Sequence, residues 1–66
     1  MEKINEYARL KSKMIMNINI LQLNINFHDR YKELVKKYGS AENAIKICNM
    51  YINMCNERIE YYKQKN

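Results

Sequence analysis

A chain of 66 residues with net charge +5, one Gly and no Pro is one domain at most, near the lower limit for burying a self-sufficient core. It lacks the turn residues that sheets and loop-rich folds consume, which leaves long helices. Two Cys and one His do not make a four-ligand metal centre, and no apolar run exceeds three residues, so the expectation is an intracellular protein with no membrane-crossing span or signal peptide.

The first predicted element is a helix over about residues 2–38. Its middle, MNINILQLNINF at 16–27, alternates apolar and amide side chains as a half-buried strand would. At 100° per residue the same side chains fall instead into two opposed stripes. One is Met14, Ile18, Leu21 and Ile25, extended towards the N-terminus by Leu10 and Tyr7; the other is Met16, Ile20, Leu23 and Phe27, continued by Tyr31, Leu34 and Tyr38. Residues 14–28 carry no formal charge, the mark of a segment covered on two sides. Lys11 falls within the first stripe, where a polar residue fixes register at some cost.

The corner follows at 39–40. Gly39 suits the left-handed residue that ends a helix, with Lys36 and Lys37 at the negative helix end. Ser40 is a good N-cap for the second helix, about 41–64, with Glu42 in its first turn and Asn43 where a full capping box has Glu or Gln. Doubling back from residue 38, a helix of that length reaches roughly residue 15 at 1.5 Å per residue. The second stripe therefore becomes the intrachain seam, closed by Ala41, Ala44, Ile45, Cys48, Ile52, Cys55, Ile59 and Tyr62. Cys48 and Cys55 read as reduced, buried small hydrophobes.

That folding leaves Tyr7, Leu10, Met14, Ile18, Leu21 and Ile25 unpartnered on helix 1, and the row Ile47, Met50, Met54 and Tyr61 spare on helix 2. Together they exceed the apolar patch a monomer tolerates, so the expected architecture is all-α: a single domain spanning 1–66, a two-helix antiparallel hairpin that dimerises into a four-helix bundle through these rows.

Catalytic chemistry finds little support: one His, no Gly-rich phosphate loop and no acid pair on an apolar face, with His28–Asp29 reading as solvated helix surface. No cofactor, metal or small-molecule substrate is implied. Arg30, Lys32, Lys36 and Lys37 form the best electrostatic patch, interleaved by Asp29 and Glu33. Tyr38–Gly39 followed by Ala44–Ile45 is faintly similar to the small two-helix aspartyl-phosphate phosphatases of spore-forming bacteria. Where their second helix has Ser-Gln-x-x-Asp, this chain has Cys48, Asn49 and Ile52, so the activity is not carried over.

Asn, Ile, Lys and Tyr supply more than half the chain, all with AT-rich codons, which points to an AT-rich genome and to a phage, virus or mobile element. The functional expectation is a non-enzymatic interaction protein, a homodimer acting on a host protein as inhibitor or adaptor. The alternative is a dimeric nucleic-acid-binding regulator using the basic end of helix 1. A membrane-surface role ranks last, resting on Lys3, Arg9, Lys11 and Lys13 beside Tyr7, Leu10 and Met14.

Overall fold

The computed structural model describes residues 2–65, which form three helices: α1 (Glu2–Gln22), α2 (Asp29–Tyr38) and α3 (Ala41–Lys65). The all-helical class stands. The continuous helix over 2–38 does not: the chain breaks after Gln22 and resumes at Asp29.

The break is made without Gly or Pro. Asn24 adopts φ 55, a left-handed conformation that Asn tolerates better than most side chains. Around it the Asn24 N–H donates to the Leu21 carbonyl and the Ile25 N–H to the Ile20 carbonyl, both at 3.2 Å. These are the paired bonds of a Schellman motif, which satisfy carbonyls that the helix end would otherwise orphan. The Asn26 N–H then donates to the Asn24 carbonyl at 2.8 Å and the His28 N–H to the Ile25 carbonyl at 3.0 Å, so the turn is tight. The Tyr31 hydroxyl donates to Asn24 Oδ1 at 3.1 Å, tying the turn to α2.

His28, read from sequence as plain helix surface, is the N-cap of α2. Its backbone is extended and its Nδ1 accepts from the Arg30 N–H at 3.0 Å. The second corner forms as the sequence indicates. Gly39 sits at φ 92 and donates its N–H to the Val35 carbonyl at 2.7 Å. Ser40 Oγ accepts from the Asn43 N–H at 3.1 Å, and the Asn43 side-chain amide donates to the Tyr38 carbonyl at 2.7 Å. Asn43 thus caps the end of α2 from the first turn of α3.

α1 and α3 run antiparallel. Tyr7 stacks on Tyr62 with ring centroids 6.2 Å apart, Lys11 lies near Cys55, Asn17 beside Cys48, and Leu21 joins Ala44 in one apolar cluster. Small residues line α3 where the helices close: Ala44, Cys48 and Cys55 are fully buried. α2 folds over one end of this pair and supplies Leu34 to the core, with Tyr31, Val35 and Tyr38 packed around it beside Ala41 and Ile45.

The seam therefore runs through the other stripe of α1. Ile18 and Leu21 are buried in the chain's own core, with Tyr7, Leu10, Met14 and Ile25 half-buried, so these six do not form a free outer row. The reason lies in the turn. Once α1 stops at Gln22, α3 has nearly the whole of α1 to pack along. The stripe that reaches back to Tyr7 then matches its length, while the stripe beginning at Met16 does not. Met16, Leu23 and Phe27 are left outside, at 63%, 71% and 78% exposure.

The result is a rod of 43 × 17 × 17 Å with a radius of gyration of 13.4 Å, against about 11 Å for a compact chain of this length. Its accessible surface is 5048 Å², above the roughly 4,500 Å² typical of a monomer of this mass.

Gly39 tests the second corner. A Cβ there would meet nothing within 4 Å, so any cost of Gly39→Ala is backbone strain alone. Chemical denaturation should show a loss of about 1 kcal/mol, with Gly39→Asn losing less. An unchanged midpoint for the Ala variant would show that this φ is not held in solution.

Candidate interaction surfaces

The described surface offers two apolar rows and one basic groove. The first row lies on the outer face of α1 and its turn: Met16, Leu23 and Phe27, with Ile15 at its margin and Ile20 half-buried. Helical projection puts Met16 and Leu23 roughly 180° from Ile18 and Leu21, so they point away from α3. Its neighbours beyond Met16 are amides, Asn19, Gln22, Asn24 and Asn26, with Lys13 one turn before Met16. Sequence reasoning assigned this row to the interior. The absence of formal charge over 14–28 reads as a segment covered on two sides, but the chain itself covers only one of them.

The second row lies along α3 beside the seam, roughly 110° around the helix from Ala44, Cys48 and Cys55. Met50 and Tyr61 are 62% and 53% exposed, Ile47 and Met54 half-buried, which places all four where the sequence put its spare row. Tyr51 joins them, a residue sequence reasoning missed. Ile47, Met50, Tyr51 and Met54 line a shallow, almost wholly apolar groove of about 300 Å³. Tyr61 meets Tyr62 edge-on at 5.2 Å and carries the Lys65 ammonium 5.6 Å from its ring centroid. The aromatic cluster thus extends the row to the end of α3.

The basic patch is divided by α2. Lys32 and Lys36 lie on one flank of that helix and Arg30 and Lys37 on the other, with Asp29 exposed between them. The fold adds a cation that linear reading did not associate with them. Lys13 of α1 joins Arg30 and Lys37 around a groove of about 200 Å³ floored by Met14, Leu34 and Tyr38. Glu33 offsets part of this charge through a 3.5 Å ion pair with Arg30, and the Lys37 ammonium sits 5.4 Å from the Tyr38 ring centroid.

Inside the seam the polar groups are few. Asn17 is the buried polar residue among those described, its amide donating weakly to Met14 Sδ at 4.0 Å and lying beside Cys48. Burial pushes the Cys48 thiol above its ordinary pKa, with the neighbouring Asn17 pulling the other way. Burial likewise raises Cys55, opposed by the positive charge of Lys11. Both cysteines are free. Lys11 therefore sits at the edge of the intrachain seam, close to Cys55. Among the described residues, no three His, Cys, Asp or Glu side chains gather into a metal site, and no helix is long and apolar enough to cross a membrane.

Comparison with models of protein families, with curated proteins and with solved structures gives no match to the chain.

The thiols give a pH prediction. Both hold their protons more tightly in the fold than in the unfolded chain, so the unfolded chain ionises first as pH passes the ordinary thiol range near about 8.5. Their contribution is fully present below that range and is lost above it, by up to about 1.4 kcal/mol per pH unit for each thiol, until the folded thiol ionises as well. Urea unfolding between neutral and alkaline pH should show a shallower alkaline decline in the Cys48→Ala, Cys55→Ala double variant than in the parent chain. Equal slopes would mean the thiols are not desolvated.

Proposed function

We propose that the chain is a non-enzymatic interaction protein that works by covering or bridging a macromolecular partner, as a small inhibitor or adaptor. One observation carries the reading: α1 and α3 each turn an apolar row to solvent, with Phe27, Leu23 and Met16 the most exposed large apolar side chains of the set. A rod with this small a core gains nothing for its own stability from a Phe at 78% exposure. Contiguous apolar surface of this kind marks a binding site. The bordering amides hydrogen-bond without the desolvation cost of charges, which suits a surface that is buried on association. The bias towards residues with AT-rich codons is what supports an AT-rich source; a mobile element or virus with a host protein as target is the reading proposed from it.

Affinity capture from the native host, followed by reconstitution of each captured protein with the purified chain, tests this. Phe27→Asp and Leu23→Asp replace exposed residues and should leave helicity intact while weakening a genuine complex by about tenfold or more each. A reconstituted complex that tolerates both substitutions would remove the α1 outer row from the proposal.

The convergence of Lys13, Arg30 and Lys37 favours a second reading, nucleic-acid binding through phosphate contacts. Three neutralised phosphates would make binding fall with salt at a log–log slope of about −2 to −3. In low-salt mobility-shift assays, the charge reversals Lys13→Glu and Lys37→Glu should abolish any complex. Absence of a complex with the parent chain at micromolar concentration excludes this reading.

A further inference from the structure

We infer that the occupant of the α3 apolar row is a second copy of this chain, its α3 lying antiparallel across a two-fold axis near Ile52 and Asn53. The inference rests on the interaction reading above and assigns one of the two faces to self-association.

Two observations select the second copy. The first is how charge is laid along the flank of the row. Glu42, Lys46, Asn53, Glu57 and Glu60 fall within one sector on one side of Ile47, Met50 and Met54, with Glu42 and Lys46 at the N-terminal end and Glu57 and Glu60 at the C-terminal end. An antiparallel pair centred near residue 52 brings Met50 of each copy level with Met54 of the other. It also brings Lys46 of each copy within one residue of level with Glu57 of the other, so that ion pair forms twice by symmetry, while Glu60 falls between Lys46 and Glu42 of the other copy. The opposed helix dipoles favour the same sense. The Lys46–Glu57 pair thus makes the middle of α3 complementary to itself read backwards, as an isologous interface requires. The outer row of α1 has no such pattern. With no formal charge over 14–28, nothing there selects a second copy over any other apolar partner.

The second observation is area. Met50, Tyr51 and Tyr61 are 62%, 40% and 53% exposed, which at roughly 200 Å² per large side chain is about 300 Å² from these three alone. Ile47, Met54 and the aliphatic stems of Lys46 and Arg58 raise this to roughly 500 Å² per copy, or about 1,000 Å² in the pair, the threshold of a specific association. The dimer is accordingly a concentration-dependent one, in which the charged margin does much of the selection.

Light scattering after size-exclusion chromatography, run from about 1 to 200 µM, reads the outcome. The parent chain should move from 8.1 kDa towards twice that mass as concentration rises. Met50→Glu, at an exposed position, should stay fully helical by circular dichroism and weaken the dimer by about tenfold or more. Lys46→Glu should weaken it about threefold to tenfold, and the triple reversal Lys46→Glu, Glu57→Lys, Glu60→Lys should return to within about threefold of the parent. A parent chain that stays at 8.1 kDa throughout, a dimer indifferent to Met50→Glu, or a triple reversal no better than Lys46→Glu alone overturns the inference. If the chain is monomeric while a reconstituted complex still depends on Phe27, self-association is lost and the interaction reading survives; if both fail, both are lost.

Discussion

The left-handed turn at Asn24 decides which side of this molecule is inside. By ending α1 at Gln22 it frees α2 to fold across the α1–α3 pair, and Leu34 can then reach Leu21 and Ala44 to complete the core. A non-Gly residue at positive φ carries a strain cost. Here the two Schellman bonds and the Tyr31–Asn24 hydrogen bond offset it. Every later feature depends on this corner: the long α1–α3 seam, the three-helix cluster at one end, and the exposure of Met16, Leu23 and Phe27.

The helical class was legible because nothing else was available to a chain almost without Gly and Pro. The second corner was legible because Gly39 and Ser40 carry conventional signals, and both act in the structure as their chemistry suggests. The first corner was not. Its left-handed residue is one of ten asparagines in a composition biased towards asparagine, so the single one that matters does not stand out. Its helix cap is a histidine, which is not among the favoured N-cap residues. Missing that corner inverted the assignment of the two α1 stripes. Both were visible as stripes; what periodicity does not reveal is which of two equivalent faces a partner helix will choose.

The surplus of apolar surface over what the chain hides survives this inversion, because it depends on the number of stripes and not on their labels. Two rows still face solvent, and the elongated shape is how a small core leaves them there. The row on α3 was anticipated since nothing in the α1 error touched it. The basic groove was only half anticipated: Arg30 and Lys37 share a helix flank, but Lys13 comes from a helix that sequence distance placed elsewhere. Inside the seam, small Ala and Cys side chains let α1 and α3 approach closely, and Asn17 opposite Cys48 marks one register as the one in which a buried amide keeps company with sulfur.

The presence of two separate apolar rows bears on how assembly stops. A block with two adhesive faces extends into a fibre whenever one face of a copy fits the other face of the next. Here the two strips differ in their borders, charged residues of both signs beside Met50 and Met54 and amides alone beside Leu23 and Phe27. On the proposed arrangement the charged borders fit only their own kind reversed, so growth would terminate at two copies. The dimer would then present a pair of amide-fringed strips, one from each copy, to two ligands or to two sites on one.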